Sequence, residues 1–363
     1  MSAETTAQAG IGSFYGQRAA EVDGVRPGEV SIHEGLTRAG LRHARDRGAL
    51  AMAVPVAPQD APVSIQPLMT VVRDIARECV SSAFSLWSQR MVVQYAARAS
   101  HSEFPRDELL GRLVDVDLVG STGLGTPMAH LLGAGPLTVS FRRERDSIVL
   151  NGRVNWASNL FPPNFILVTG AGDETGDPLI VAIPGDSPGI GIAPYPELLA
   201  LQATGSSTVF LRDVTIPAAN VVSVDFAGFL RGVRPVFLLL QSSLCWGLTA
   251  ASLAAARGAI RGVNESFADD LSALHARLSE LSERALTFGE CPDAAVRPMR
   301  DFVQLRHEFA ALAGEATRLD AAVQGGRGYA TRCATARRFR EAAFLPVQAP
   351  TEGQLRWELS HSV

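Results

Sequence analysis

A long run without any charged side chain, from Pro235 to Ala256, is the feature that most constrains the fold of this chain. The run reaches the roughly 20 residues that a membrane-spanning helix needs. Five polar residues interrupt it: Gln241, Ser242, Ser243, Thr249 and Ser252. A helix that is buried on all sides in a bundle has the same composition. Because no second run of this kind occurs, we predict a buried core helix and no membrane span.

The rest of the composition is that of a globular protein with two or three domains. The chain has 363 residues, of which 47% are hydrophobic and 19% charged. A net charge of −4 provides no basic surface for nucleic acid or an anionic membrane. The sequence has no lysine, since all 33 Lys+Arg residues are arginine. This excludes Schiff-base chemistry and a P-loop.

Hydrophobic periodicity divides the chain into helical, β and helical zones. Residues Leu68–Cys79 repeat on one helical face, with Pro67 in the first turn. Residues 116–224 contain short apolar runs between Gly, Pro and Asp, which predicts strands, the last of them ending at Pro217. The predicted strands are LTVSFR, SIVLNG, NFILVTG, PLIVAIPG and STVFLRDVTIP. A leucine seam in the last zone is typical of a helical bundle, at Leu271, Leu274, Leu278 and Leu281.

We therefore predict an α+β fold with three domains. These are an N-terminal helical domain (1–115), a central antiparallel β domain (116–224) and a C-terminal four-helix bundle (225–363). The polar stretch up to about residue 29 is predicted to be mobile. The start of the chain, MSAETTAQAG, lacks the features of an export signal, so we expect a cytoplasmic protein.

The cysteines and histidines do not predict a metal or nucleophile site. The four cysteines have no metal-ligand spacing, and we expect free thiols: Cys79, Cys245, Cys291 and Cys333. The histidines His130, His275 and His307 are isolated from one another. No triad with a nucleophile elbow is present.

Three segments are candidates for ligand contact. GSTGLGTPM, Gly120–Met128, reads as a flexible, hydroxyl-rich loop whose backbone can approach a phosphate or a flat ring, or as a linker. Trp156 can stack on a planar ligand beside the Ser158 hydroxyl, or belong to the core. GGRGY, Gly325–Tyr329, is a helix C-cap or a backbone approach to a cofactor. GAGDETG, Gly170–Gly176, is predicted to be a hairpin loop, because the next strand follows at once.

The ordered set of motifs resembles the acyl-CoA dehydrogenase superfamily over roughly residues 30–360. The matching pieces are GSTGLGT, LNGRVNWASN, TGSSTVFLRDVTIPAANVV and GGRGYATRCATARRFREA. The resemblance implies FAD between the β domain and the C-terminal bundle, acyl thioester substrates, and the homotetramer that is common in the family. The charge-free helix and the leucine seam supply more apolar surface than one bundle usually hides, so we predict a homodimer or homotetramer. The resemblance also places Trp156 and Ser158 on the flavin ring.

The same resemblance implies further cofactor contacts. It places Gly125 and Thr126 at the cofactor and at the phosphate end of the thioester. The preceding Gly120 and Ser121 belong to the same loop. The pair of glycines, Gly325 and Gly326, matches the position that meets the adenosine of a neighbouring subunit.

Several positions depart from the family pattern. The glycine-rich loop has lost both family carboxylates, and Asn264 stands where the flavin-binding motif has arginine. Gln324 abuts Gly325, although the family places it three residues before the glycine pair. The position of the family's catalytic glutamate is occupied by Ala349, and the alternative position, around Phe237, is apolar. The catalytic residue stays unknown, with Glu352 and His130 as weak candidates.

We expect a divergent flavoprotein oxidoreductase in specialised biosynthesis, acting on a small molecule or a thioester-linked substrate. A standard β-oxidation dehydrogenase is not expected, because Ala349 cannot remove a proton. One alternative is a two-component monooxygenase that uses FMN or transiently bound reduced flavin. Another is a non-redox cyclase, dehydratase or scaffold on the same fold. A flavin reductase and an acyl carrier protein are the candidate protein partners.

Overall fold

The computed structural model describes residues 3–173 and 177–361. Five helices precede the first strand: α1 (Ala3–Asp23), α2 (Val30–Arg45), α3 (Gln66–Glu78), α4 (Val80–Ala97) and α5 (Arg106–Val114). Pro67 lies in the first turn of α3, where its missing N–H has no helical partner to lose. The helix predicted from the apolar periodicity after Leu68 is thus confirmed.

The N-terminal segment is helical and packed from Tyr15 to Val22, so the prediction of a mobile stretch is wrong for this part. Tyr15, Ala19 and Val22 are buried at helical spacing on one face of α1, which packs against α3. The Tyr15 hydroxyl donates a hydrogen bond of 2.7 Å to the carbonyl of Gly40 on α2. The segment is polar on average, but its few apolar residues share a face and reach the core.

The β zone forms two four-stranded sheets. Its elements are β1 (Val119–Thr122), α6 (Gly125–Leu131), β2 (Val139–Glu144), β3 (Ser147–Ala157), β4 (Phe165–Ala171), β5 (Leu179–Pro184), β6 (Ile190–Ile192), β7 (Ser207–Pro217) and β8 (Val221–Ser223). One sheet has the order β1-β4-β5-β8 and the other β2-β3-β7-β6. All pairs are antiparallel except β1 and β4, which run parallel with Val119 opposite Phe165. The last predicted strand ends at Pro217, as expected.

The predicted hairpin loop GAGDETG connects β4 and β5. These strands pair antiparallel, with Ala171 opposite Leu179. Residues 174–176 of the loop lie outside the described residues.

The C-terminal zone is helical again. Its helices are α7 (Phe226–Arg257), α8 (Ala268–Glu290), α9 (Met299–Gln324), α10 (Ala334–Phe344) and α11 (Glu352–His361). α7 packs against α3, α8 and α9. In the leucine seam of α8, Leu271, Leu274 and Leu281 are buried and Leu278 is half-buried. The α+β class and its order of zones are confirmed, whereas the three domain boundaries stay predictions.

The charge-free run is the middle of α7. In the part of the chain that the structure describes, α7 is the one helix long and apolar enough to cross a membrane, and 89% of its apolar window is buried inside the chain. Its hydroxyls donate to carbonyls one turn earlier, as Ser242 does to Leu238 and Thr249 to Cys245. The predicted core helix is confirmed. Since the chain itself covers α7, its apolar surface does not require a second subunit, and the homo-oligomer stays a prediction.

Candidate functional site

The start of the glycine-rich segment is a strand clamped by side chains. The amide of Gly120 donates to Gln89 Oε1 at 2.5 Å, and its carbonyl accepts from Ser88 Oγ at 3.1 Å. A Cβ at Gly120 would lie 2.6 Å from Cβ of Val92 on α4, so only glycine fits this close approach. Gly120–Thr122 forms most of β1 and Gly125 begins α6. The prediction of a flexible loop is therefore wrong for most of this segment.

The two hydroxyls in this strand point into the protein. Ser121 is fully buried, and its hydroxyl has no hydrogen-bond partner among the described residues. Thr122 bonds to the buried hydroxyl of Tyr95 at 3.0 Å. Burial raises the pKa of Tyr95, so its phenol stays protonated. The hydroxyls of Ser121 and Thr122 thus face the interior of the protein and not its surface.

Asn159 joins the Trp156 segment to this strand. Its side-chain Nδ2 donates to the carbonyl of Gly120 at 3.1 Å and to that of Ser85 at 3.0 Å. The structure therefore brings the end of β3 next to the start of the glycine-rich segment, although about forty residues separate them in sequence.

The end of β3 presents an indole and a small hydroxyl cluster. Trp156 is 62% exposed and lies within β3, not after a strand and not in the core. Ser158 is buried and bonds to Ser206 Oγ at 2.7 Å, and Ser206 bonds to Thr204 Oγ1 at 2.7 Å. Ser206 is the half-exposed member of the three. An exposed ring near a partly exposed hydroxyl group is a surface on which a flat ligand with a polar edge can stack.

Ala349 lies directly against Gly125. A Cβ at Gly125 would lie only 2.8 Å from the methyl carbon of Ala349. The position that matches the family's catalytic glutamate therefore packs on the second half of the glycine-rich segment. Ala349 is half-buried and brings no proton-accepting side chain to this contact.

A chain of buried hydrogen bonds from Arg306 through Gln241, here called the polar relay, holds the carbonyl of Ala349. Gln241 on α7 donates from Nε2 to the carbonyl of Ala349 at 2.9 Å. Arg306 on α9 donates from Nε to Gln241 Oε1 at 3.2 Å. Its Nη2 donates to the carbonyl of Leu345 and to Gln348 Oε1, both at 3.1 Å. The guanidinium thus holds the segment 345–349 directly at Leu345 and Gln348, and at Ala349 through Gln241.

Four aromatic residues form a buried cluster that includes Phe237 of α7. The ring of Trp87 stacks on Phe84 at 5.1 Å and meets Phe237 edge to face at 4.9 Å. Phe344, at the end of α10, packs edge to face on Phe84 at 4.9 Å. Phe237 precedes Gln241 by one turn of α7, so the aromatic group lies beside the relay. The described surroundings of Gln241 on this side are therefore aromatic and apolar.

The two weak catalytic candidates are engaged elsewhere. The carboxylate of Glu352 pairs with Arg356 one turn along α11. His130 Nδ1 lies 3.0 Å from the carbonyl of Gly135, and its ring packs on Phe226. Both assignments stay predictions that the geometry does not favour.

The remaining predicted cofactor contacts are half-buried or exposed. Thr126 is half-buried in the first turn of α6. Gly325 and Gly326 open the short 3₁₀ helix Gly325–Tyr329 that packs on α9 and α10. Both are exposed, and a Cβ at either would meet nothing within 4 Å. Asn264 donates to the carbonyls of Ala259 and Val323, which is a structural role.

The residues at the end of β3 fit a flavin ring. The exposed indole of Trp156 supplies the stacking face, and the hydroxyls of Ser158 and Ser206 supply polar contacts for the ring edge. At the glycine-rich segment, Gly125 is closed off by the Ala349 methyl and offers no cradle there. The residues at the end of β3 therefore fit the flavin ring, whereas Gly125 does not fit a phosphate.

Sequence reasoning missed four residues that build this region. Gln89 and Asn159 clamp Gly120, Ser206 completes the hydroxyl cluster, and Arg306 holds Gln241. Gln241 itself was visible as the first polar interruption of an otherwise apolar run. Ser206 was visible in the TGSSTVF block.

Relatives in sequence are acyl-CoA dehydrogenases at low identity. No family model matches the chain. The probable acyl-CoA dehydrogenase YngJ of Bacillus subtilis (strain 168) is 23% identical over 305 residues, covering 76% of each protein. The mitochondrial short-chain specific acyl-CoA dehydrogenase of Rattus norvegicus is 22% identical over 185 residues, covering 50% of this chain and 45% of that enzyme.

Solved structures share the fold over nearly the whole chain. A glutaryl-coenzyme A dehydrogenase bound to glutaryl-CoA has a TM-score of 0.81 at 17% identity, covering 99% of this chain and 95% of the other. FkbI, from biosynthesis of the methoxymalonyl extender unit of the Fk520 polyketide, has a TM-score of 0.76 at 19% identity, covering 97% and 98%. Nitroalkane oxidase in complex with spermine has a TM-score of 0.82 at 14% identity, covering 99% and 95%. The sequence relatives and the solved structures agree: the chain has the acyl-CoA dehydrogenase fold and resembles that superfamily in sequence at low identity.

Proposed function

We propose that this protein is a flavin-dependent oxidoreductase that does not carry out standard β-oxidation of acyl-CoA. Its substrate would be a small molecule or a thioester-linked group from specialised biosynthesis. FkbI and nitroalkane oxidase, which share this fold, support a role outside fatty-acid breakdown. FAD is the proposed cofactor, and a flavin reductase or an acyl carrier protein is a proposed partner.

The observation that carries this proposal is the contact between Ala349 and Gly125. The methyl group of Ala349 occupies the wall where the superfamily resemblance puts a catalytic carboxylate. Dehydrogenation of a thioester needs a base in direct contact with the α-proton. Phe237, which lies at the alternative position of the base, cannot accept a proton either.

The chain's own residues have separate tasks at this site. A bound flavin would supply hydride and electron transfer. Trp156 would stack on the ring, and Ser158 and Ser206 would bond its polar edge. Gln241 would hold the carbonyl of Ala349 in place from α7.

The absorbance spectrum of the purified protein tests the cofactor directly. A yellow protein supports the proposal, whereas a colourless protein that binds added reduced flavin indicates a two-component monooxygenase. A protein that binds no flavin indicates a non-redox role and contradicts the proposal. With flavin bound, anaerobic addition of butyryl-, octanoyl- or palmitoyl-CoA should not bleach it. Rapid bleaching would show that a base is present after all, with Glu352 the first residue to test.

Trp156→Ala tests the placement of the ring. Loss of a stacking surface worth about 1–3 kcal/mol should weaken flavin binding about 5- to 150-fold. Trp357→Ala is the matched control, because Trp357 is also partly exposed but lies on α11, stacked on His361. Equal dissociation constants for the wild type and Trp156→Ala would refute the assignment.

A further inference from the structure

Arg306 carries a positive charge that no carboxylate among the described residues pairs with. It is fully buried. Its hydrogen bonds go to one carbonyl and to two amide oxygens, and Nη1 has no partner among the described residues. The nearby thiol of Cys245 stays protonated, since burial raises its pKa against the opposing effect of Arg306.

The acids on α9 and on two helices that pack against it, α10 and α11, are all paired with other arginines. α8 packs against α9 as well, and its acids are exposed whereas Arg306 is buried: Asp269, Asp270, Glu280, Glu283 and Glu290. α7 contains no acidic residue. On α9, α10 and α11 every carboxylate has an arginine within 4.0 Å: Asp301 with Arg297, Glu308 with Arg284, Glu315 with Arg277, Asp320 with Arg338, Glu341 with Arg337, Glu352 with Arg356, and Glu358 with Arg234. The neighbouring His307 leaves its Nε2 without a hydrogen-bond partner in the described part of the chain. A buried charge without a counter-ion is costly, so its retention calls for an explanation.

The charge acts toward the candidate site through Gln241. One side of that amide accepts from Arg306 and the other donates to the carbonyl of Ala349. Hydrogen bonds in such a chain polarise one another. The guanidinium therefore both positions the segment that carries Ala349 and raises the electrostatic potential in front of it.

We propose that the positive charge of Arg306 makes this site bind a substrate with a negatively charged group, such as a carboxylate, next to Ala349. The negative charge that the family resemblance assigns to a protein side chain would come from the ligand instead. This inference rests on the proposed function only in placing the substrate beside Ala349. Arg306 is a positioning residue in this scheme, because it reaches the site through Gln241.

The expected size of the effect follows from the geometry. Two hydrogen bonds and one amide group separate the guanidinium from the Ala349 carbonyl, a distance on the order of 8 Å. At an effective dielectric constant of about 20, a unit charge at that distance shifts the pKa of a carboxyl group by about one to two units.

An introduced carboxyl group measures this potential without any flavin. We would compare Ala349→Glu with the isosteric Ala349→Gln, each in the wild-type and the Arg306→Gln background, by urea unfolding between pH 4.5 and 7. With Arg306 present, the stability of Ala349→Glu relative to Ala349→Gln should hold or rise with pH. In the Arg306→Gln background burial dominates, and the same difference should fall with pH. Glu341 also titrates in this range, but it is common to both variants and cancels.

The pH profile separates charge from mere packing. A purely structural role for Arg306 would lower the stability of both variants and leave their relative pH dependence unchanged, which would overturn the proposal. Arg306→Lys keeps the charge and should preserve the wild-type profile. A profile like that of Arg306→Gln would count against it.

The ligand class is tested with two small probes of equal shape. Binding of propionate and of propionamide is followed by isothermal titration calorimetry. Propionate should bind at least about tenfold more tightly, and Arg306→Gln should abolish the preference. Equal binding, or no binding of either probe, would overturn the assignment of an anionic substrate. A failure of the protein to bind flavin would contradict the proposed function while leaving both of these measurements intact.

Discussion

Replacing Gly125 by alanine tests the contact on which the candidate site depends. The new Cβ would lie 2.8 Å from the methyl carbon of Ala349, closer than two carbon atoms approach without displacement. Neither atom is at the end of a flexible side chain, so the backbone of α6 or of the 345–351 segment must move. The segment is held by Arg306 and Gln241, which resist that movement.

The sign of the effect is decided by two opposing terms. Alanine is better than glycine in a helix by about 0.5–1 kcal/mol, and Gly125 begins α6. Overpacking a tight contact costs about 1–3 kcal/mol. The clash should therefore win, with a net loss of about 1–2 kcal/mol in the free energy of unfolding.

The assay is urea unfolding of four proteins with a matched control. Gly125→Ala should be destabilised, and the added change Ala349→Gly should recover most of the loss, because it removes the opposing methyl group. Gly111→Ala in α5 is the control, since a Cβ there meets nothing within 4 Å, and it should stabilise the protein slightly. A Gly125→Ala variant as stable as the control, or a loss that Ala349→Gly does not recover, would refute the apposition of the two segments.

Two further predictions concern buried charges. Burial raises the pKa of Glu341 to about 7, although Arg337 opposes this shift. The folded state therefore holds a proton that the unfolded state has released, and the free energy of unfolding should fall as the pH rises from about 5 to 8. Glu341→Gln should remove this slope in urea titrations, and an unchanged slope would show that another group causes it. Arg338 donates to the fully buried Asp320 at 2.6 and 3.0 Å. Arg338→Met should cost about 3–5 kcal/mol in thermal or urea unfolding, because a buried carboxylate loses its partner. Arg277→Met, which breaks the half-exposed pair with Glu315, should cost no more than about 1 kcal/mol. Equal losses would contradict this difference.

Elements with a strong periodic signal were predictable from the sequence. The buried helix α7 follows from its charge-free run, and β7 follows from the alternating block that ends at Pro217. Strand β1 was not predictable, because a Gly-Ser-Thr segment has little strand propensity of its own. It is held by parallel pairing with β4 and by Gln89 and Ser88 of α4, which are long-range contacts.

The candidate site was predictable only where a resemblance supplied positions. The resemblance placed Trp156 and Ala349 near one ligand, but it could not show that Ala349 packs on Gly125. Arg306 stands in an ordinary helical pattern of α9, and nothing local distinguishes a buried arginine from a solvent-facing one. Its importance depends on which acids are paired elsewhere, and this is a property of the packed bundle.

The hydrogen bonds that hold Gly120 also determine how easily this part of the protein unfolds locally. Its amide and carbonyl are both held by side chains, so β1 can separate only if α4 and Asn159 release it together. Local unfolding that requires several elements at once is rare, and the Gly120 amide should exchange its hydrogen with water slowly. Hydrogen exchange at this amide should therefore report the joint release of α4, β1 and the end of β3, and not the motion of a single strand.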